Sequence, residues 1–240
     1  MFHRRLVFEA SDPICIAGIG EVATLPDHQG KGYSSVLMRH VINSQVVKEK
    51  DAVILHCRPD LIRFYERFGF REYFEGVTSF GYVNDLISEN YDGDDIELAL
   101  LEWEDHDQLT FLNKSFSRNG KFTVERNLSY WKSWIRVDCE AKARSIFMIS
   151  RDKEWVGYVV VAKVLEEVSV LELRINQDDN EAYIRVVLNE LCRLYQVDAF
   201  NVHGIGLQGM RIEKNHGWLA HILNDKISIK DTLMEKIDSF

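Results

Sequence analysis

The chain has few cysteines, and none of them are spaced as metal ligands usually are. Its four cysteines, Cys15, Cys57, Cys139 and Cys192, are widely separated and form no CxxC pair. This spacing argues against a zinc site and against a disulfide framework. It is typical of a protein from a reducing compartment, so we expect a cytoplasmic location.

Long apolar runs and an excess of positive charge are also missing. No run approaches the ~20 residues of a membrane span, and Arg4 and Arg5 are not followed by the apolar core of a signal peptide. Lys and Arg total 29 against 38 Asp and Glu, a net charge of −9. We therefore expect no membrane partner and no nucleic acid partner, whereas a cationic substrate would be attracted.

What the chain does have is the composition of a globular protein large enough for a substantial core. It contains 240 residues, of which 46% are hydrophobic and 28% are charged. This length suits one large domain or two small ones.

One segment near the N-terminus carries glycines at a spacing that favours anion binding. An apolar stretch, expected to be a strand over residues 14–24, leads to Gly30 and Gly32, and residues 34–48 show helical apolar spacing. Glycine lets the backbone approach a ligand closely, and the unpaired N–H groups at a helix start attract anions. The segment therefore predicts a ligand that carries phosphate groups.

The rest of the chain predicts two halves of similar order. Residues 88–95 are acidic and turn-forming, and we place a domain boundary there. The sequence motif Asp51-Ala-Val with His56 recurs as Asp198-Ala-Phe with His203, which indicates an internal repeat. The remaining expected elements are strands at 6–10, 52–57, 96–101, 145–150, 155–163, 168–175 and 198–203, a hairpin or two strands at 71–83, and helices near 59–68, 105–118, 124–136, 181–195 and 209–216. The fold class is α/β, with two units whose mixed central sheet is flanked by helices.

Three segments in order carry a resemblance to a known family. The pattern Gln29-x-x-Gly32-x-Ser34 resembles the acyl-coenzyme A loop of the GNAT superfamily of N-acetyltransferases, although Ser34 replaces the usual Gly or Ala. Val22-Ala-Thr-Leu-Pro26 resembles the cofactor strand of that family, and Arg63-Phe-Tyr-Glu-Arg-Phe-Gly-Phe70 resembles its second conserved segment. The resemblance implies acetyl-CoA as cofactor.

The resemblance also implies roles for individual residues. The loop backbone would hold the diphosphate and the preceding strand would pair with the pantetheine arm, which makes the candidate cofactor-binding residues Val22, Ala23, Thr24, Gln29, Gly30, Lys31, Gly32, Tyr33, Ser34 and Ser35. Tyr65 matches the general acid, although it is also placed to be a core aromatic. Lys31 reaches either a phosphate or solvent. The general base stays open among Glu21, His28, His56 and water.

The second half lacks the chemistry of the first. Asn176-Gln-Asp-Asp179 replaces the glycine loop, Glu213 falls near the position of Tyr65, and both changes argue against CoA binding. Gly204-Ile-Gly-Leu-Gln-Gly209 fits a dinucleotide-binding pattern, but it lacks a full following helix, so we interpret it as a turn. The aromatic segment Tyr130–Trp134 predicts a helix face in the core.

The order of these segments resembles the enhanced-intracellular-survival type of tandem acetyltransferase. Relative to that type, the chain lacks the N-terminal part of the first unit and a C-terminal sterol-carrier-like domain. This predicts a partial acetyl-CoA-binding domain at residues 1–87, the linker 88–95, and a second domain without a cofactor site at 96–240. We expect transfer of an acetyl group to a primary, cationic amine (an aminoglycoside, polyamine or lysine) by a homo-oligomer without a metal; the alternative is a non-catalytic acyl-CoA-binding or scaffold protein.

Overall fold

The computed structural model describes residues 2–7, 13–86, 96–116, 122–176, 181–224 and 232–233. Within these ranges the strands are β1 (Phe2–Val7), β2 (Ile14–Ile19), β3 (Ala52–His56), β4 (Arg71–Tyr82), β5 (Ile96–Leu100), β6 (Phe122–Val124), β7 (Arg144–Arg151), β8 (Glu154–Val164), β9 (Glu167–Ile175), β10 (Ala199–His203), β11 (Arg211–Ile222) and β12 (Thr232–Leu233). The helices are α1 (Tyr33–Ile42), α2 (Gln45–Lys48), α3 (Ile62–Glu66), α4 (His106–Phe116), α5 (Leu128–Tyr130), α6 (Arg136–Ala141) and α7 (Glu181–Tyr195).

All of these strands join one mixed sheet. Among the described residues it has 12 strands in the order β12-β6-β1-β2-β3-β11-β4-β10-β9-β8-β7-β5. The pairs β2–β3, β9–β10 and β6–β12 are parallel, and the other pairs are antiparallel. The predicted α/β class, a mixed sheet flanked by helices, is confirmed.

Two strand–helix–strand units repeat within the sheet. In the first unit, α1 connects the parallel strands β2 and β3; in the second, α7 connects the parallel strands β9 and β10. The recurring sequence starts β3 at Ala52 and β10 at Ala199, so the two copies of the motif occupy equivalent strands. The internal repeat inferred from the sequence therefore corresponds to two crossover units.

Strands from the two halves of the chain interleave between these units. β11 lies between β3 and β4, while β4 lies between β11 and β10. The predicted linker at 88–95 lies outside the described residues, so the division at that point stays a prediction. The sheet itself runs continuously through strands from both sides of it.

Two predicted elements near these strands are wrong. The helix expected at 209–216 is the first part of β11, whose residues 211–214 are exposed and show no buried alternation that would have revealed a strand. The segment 71–83 forms one continuous strand, and the irregular register lies between Asn215 and Leu219 of its partner β11. In both segments the conformation is determined by pairing with a neighbouring strand. Such pairing cannot be recognised from the local sequence.

Separate apolar clusters cover the two units. The first unit buries Met38, Leu55, Tyr65 and Phe70 beneath α1 and α3. The second buries one face of β7–β10 against α7 and the other face of β7–β9 against α4–α6. Trp131 begins a π-helical segment, Trp131–Ile135, which joins α5 to α6, and its side chain is fully buried. This confirms the prediction that the aromatic segment forms a helix against the core. No helix in the described part of the chain is long and apolar enough to cross a membrane.

A buried ion pair fixes the second unit to the strand beside β1. Arg126, which follows β6, donates two hydrogen bonds to Glu172 of β9 at 3.0 and 2.9 Å, and both side chains are fully buried. The Tyr158 hydroxyl also donates to Glu172, and the Arg126 guanidinium lies 4.9 Å from the ring centroid of Trp131. Burial alone would raise the pKa of Glu172, but the positive charges of Arg126 and Arg174 and the hydrogen bonds outweigh it and lower that pKa.

Candidate functional site

The first unit opens where its two parallel strands separate. β2 and β3 stay paired as far as Ile19 and Leu55, after which Glu21 adopts a φ of 57°. A positive φ ends the extended conformation, so the strand predicted at 14–24 is wrong beyond Ile19. The separated backbone of residues 20–25 then forms one wall of a groove.

A glycine loop closes the end of this groove. Gly30 and Gly32 have φ values of 74° and 79°, in the left-handed region that favours glycine, and a Cβ built on either would meet nothing within 4 Å. The glycines are therefore required by backbone conformation, and open space lies in front of them. Such space leaves room for a ligand against the main chain.

The loop presents unpaired backbone donors to this space. Gly32 is the N-cap of α1, without a side-chain cap, and the first helical hydrogen bond runs from Val36 N to Gly32 O at 3.1 Å. The N–H groups of Tyr33, Ser34 and Ser35 thus have no partner within the helix. Together with the helix dipole they form a site for an anion.

Tyr65 faces the same space from α3. Its side chain is buried, and its ring packs edge-on against Phe64 at 4.9 Å between centroids. The Tyr65 hydroxyl has no hydrogen-bond partner among the described residues. Burial, followed by the nearby Cys57 thiol, raises the pKa of Tyr65, so the phenol stays protonated well above neutral pH.

One cavity of about 340 Å³ connects these features. It is lined by residues of the separated backbone, the glycine loop, the start of α1 and the start of α3, namely Val22, Thr24, His28, Gln29, Gly30, Gly32, Tyr33, Ser34, Arg58, Leu61, Phe64 and Tyr65. The cavity thus contains an open loop, unpaired amides and a buried phenol. This combination fits a ligand that carries an anionic group at one end and a reactive group at the other.

Most of the cofactor-binding residues expected from the sequence meet at this cavity, but three do not line it. Lys31 donates from Nζ to the carbonyl oxygen of Asp27 at 2.8 Å, which directs its ammonium group back to the loop. Ala23 and Ser35 are also outside the lining. Thr24 lines the cavity, yet its carbonyl oxygen already accepts a bond from the Gln29 side chain at 3.2 Å. The binding roles of all these residues stay predictions.

The candidate bases are placed differently from one another. Glu21 is exposed and does not line the cavity, and His56 packs against Trp218 with 5.0 Å between ring centroids. His28 does line it. Burial, with the negative charges of Glu72 and Asp60, raises the pKa of Cys57 to about 11, so this neighbouring thiol is protonated and is not a nucleophile.

Sequence reasoning missed three residues of the lining. Arg58 lies two residues after the end of β3, and Leu61 and Phe64 lie within four residues before Tyr65. Their proximity in sequence to the segment 63–70 was the available signal. Among the described lining residues Arg58 is the one permanently charged side chain, and no carboxylate is present.

In the second unit, the helix start that corresponds to the start of α1 is occupied by side chains of the protein. Glu181 begins α7, and its Oε1 accepts bonds from Arg185 Nη2 at 2.6 Å and from the Gln208 amide at 3.0 Å. The predicted loop Asn176–Asp179 lies largely outside the described residues. Gly204–Gly209 is a turn, as predicted, but β11 follows it in place of the expected helix. Glu213 lies on that strand and forms an ion pair with Arg211 at 3.5 Å.

Comparisons with known proteins find a family model that matches part of this geometry. Residues 5–72 match the model of the acetyltransferase (GNAT) domain. This segment contains the separated strands, the glycine loop, α1 and Tyr65. The comparison with curated proteins gives no match.

Solved structures share the overall fold at low sequence identity. A conserved protein of unknown function from Enterococcus faecalis, titled a probable N-acyltransferase, is 15% identical over 92% of this chain and 57% of its own, with a TM-score of 0.71. Eis1 from Mycobacterium abscessus is 15% identical, covers 93% and 60%, and has a TM-score of 0.62. A tandem GNAT protein from the clavulanic acid biosynthesis pathway is 9% identical, covers 88% and 78%, and has a TM-score of 0.54. The chain thus shares the fold of these structures and spans less than two thirds of the length of the first two.

Proposed function

We propose that this protein is an acetyl-CoA-dependent N-acetyltransferase. One observation carries the proposal: a single cavity joins the unpaired amides at the start of α1 to the buried phenol of Tyr65. The amides suit a diphosphate, and the phenol suits proton donation to a departing thiolate. Bound acetyl-CoA would supply an acetyl group activated as a thioester.

The residues of the chain would divide the reaction between them. The backbone N–H groups of residues 22–24, at the separated strand, would stabilise the negative charge that develops on the carbonyl oxygen. The Tyr65 hydroxyl would donate its proton to the sulfur as the thioester bond breaks. An amine acceptor would attack directly, which requires its neutral form.

The residues that line the cavity limit how the acceptor amine can lose its proton. The described lining residues include no carboxylate to remove a proton, and His28 is the one imidazole among them. We therefore propose that the amine loses its proton to water or to His28. The overall charge of −9 favours a cationic acceptor such as a polyamine, an aminoglycoside or a lysine.

The test is turnover with and without the phenolic hydroxyl. Purified protein is incubated with acetyl-CoA and a panel of amines, and the release of free thiol is followed. We expect Tyr65→Phe to lower kcat by about a hundredfold, the low end for a general acid, while the Kd for CoA stays unchanged. Tyr195→Phe, on α7, is the matched control. Unchanged turnover in Tyr65→Phe would contradict the role of Tyr65.

The same lack of a carboxylate favours one alternative, a protein that binds acyl-CoA without catalysis. In that case CoA would bind tightly and no amine of the panel would be acetylated. The turnover assay and a parallel binding titration separate the two functions.

A further inference from the structure

We infer that Arg58, and not Lys31, is the side-chain cation that binds a phosphate group of the donor nucleotide. The inference rests on the proposed function and names a residue that selects the donor. From the sequence, Lys31 was open between a phosphate contact and solvent, because that lysine stands between the two glycines. In the structure Arg58 lines the cavity and Lys31 does not.

Lys31 is directed away from the ligand space. Its Nζ donates to the carbonyl oxygen of Asp27 at 2.8 Å, within its own loop, and its side chain does not line the cavity. A lysine held in this way contributes little more than a distant charge.

Arg58 is available to bind a ligand in the cavity, whereas Lys31 is not. It is the N-cap of the Pro59–Leu61 turn that follows β3, and it lines the same cavity as Gly30, Gly32 and Ser34. Its ion partner is Asp60, at 3.0 Å, and the two side chains are 75% and 63% exposed. Exposed ion pairs of this kind contribute little, so the guanidinium can exchange Asp60 for a phosphate at small cost.

The chemistry of the ligand matches these two kinds of donor in one cavity. The amides of α1 would bind one anionic group through main-chain donors, which reach only a short distance. A guanidinium in the same cavity adds a planar, permanently charged donor pair that suits phosphate oxygens. Because a pantetheine thioester without its nucleotide lacks these phosphates, Arg58 favours nucleotide-bound acyl donors over short pantetheine donors.

The test compares three ligands by calorimetry at fixed salt: CoA, dephospho-CoA and pantetheine. We expect Arg58→Ala to weaken CoA binding by about tenfold to a hundredfold, as expected for losing a hydrogen bond to a charged group. Pantetheine binding should change less than about twofold, since it offers no phosphate. An equal loss for CoA and dephospho-CoA assigns Arg58 to the diphosphate, and a loss for CoA alone assigns it to the 3′-phosphate.

Two matched variants serve as controls. Lys31→Ala removes the loop cation, and Arg63→Ala removes an exposed arginine of α3 that does not line the cavity. Both should bind CoA within about twofold of the wild type. Arg58 is exposed, so circular dichroism should show all three variants folded.

The outcomes separate this inference from the proposed function. If wild-type protein binds CoA but Arg58→Ala binds it equally well, or if Lys31→Ala shows the larger loss, the assignment to Arg58 is wrong and the proposed function stands. A loss of pantetheine affinity in Arg58→Ala that equals the loss for CoA would also overturn it, because it would indicate lost packing. If the wild type does not bind CoA, the proposed function fails first.

Discussion

The two crossover units share a backbone plan and use it differently. In the first, glycines at φ 74° and 79° lead into α1, and Met38 is the fully buried side chain of that helix. In the second, α7 buries Tyr183, Ile184, Val187, Leu188, Leu191 and Cys192. The start of α1 faces an open cavity, whereas the first turn of α7 holds Glu181 bound to Arg185 and to the Gln208 amide.

We interpret the difference as two uses of one backbone plan, a candidate binding site in the first unit and a structural support in the second. A helix that leaves its N-terminal amides unpaired gives up stability but gains an anion site. A helix that faces its neighbours with apolar side chains, and whose first turn carries a paired carboxylate, gains stability and loses that site. The comparison predicts that stability concentrates in the second unit and ligand binding in the first.

The largest expected effect concerns the buried ion pair of the second unit. Arg126→Ala leaves Glu172 buried without the two hydrogen bonds and the positive charge of Arg126, so we expect about 3–5 kcal/mol of lost stability in urea unfolding. Arg193→Ala breaks the exposed pair with Glu190 and should cost less than about 1 kcal/mol. Similar losses in both variants would remove the distinction between the two kinds of pair.

Low pH should weaken the same Arg126–Glu172 ion pair without any mutation. The pKa of Glu172 is lower in the folded protein than in the unfolded chain, where it is about 4.3, so the unfolded state binds its proton first as pH falls. The stabilisation is therefore present above about pH 4.3 and is lost as pH falls through the lowered value. Urea titrations from pH 6 to pH 3 should show this decline, and Arg126→Ala should show a smaller one. A free energy of unfolding that increases as pH falls would contradict this prediction.

A pair of glycines separates backbone strain from ligand binding. Gly32 and Gly204 have φ values of 79° and 80°, and a Cβ on either would meet nothing within 4 Å. Alanine at each position should therefore cost a similar amount, about 1–2 kcal/mol, through the left-handed backbone alone. Only Gly32→Ala should also weaken CoA binding, by about tenfold, because it disturbs the amides at the start of α1. Equal effects of both variants on CoA affinity would contradict the assignment of the site to the first unit.

Local signals in the sequence predicted the residues of the candidate site better than they predicted the order of strands in the sheet. The glycine loop and the segment around Tyr65 are short and dictated by backbone chemistry, and the structure brings both to one cavity. The position of β11 between β3 and β4 depends on pairing across the whole chain, and its charged first half looks helical in isolation.

Side chains that act across long sequence distances were also missed. Arg126 and Glu172 are joined only by the folded sheet, so no spacing rule identifies them. Arg58 lies near the predicted site, but the lysine between the glycines was the more obvious cation until its bond to Asp27 was seen.

The most direct test of the account is hydrogen–deuterium exchange of the intact protein with and without CoA. Unpaired amides that bind a ligand should become protected, so the account predicts slower exchange confined to residues 22–35 and 58–65 and no change at residues 181–210. Absence of protection in the first unit, or protection at the start of α7 instead, would contradict the claim that the loop before α1 is the cofactor site.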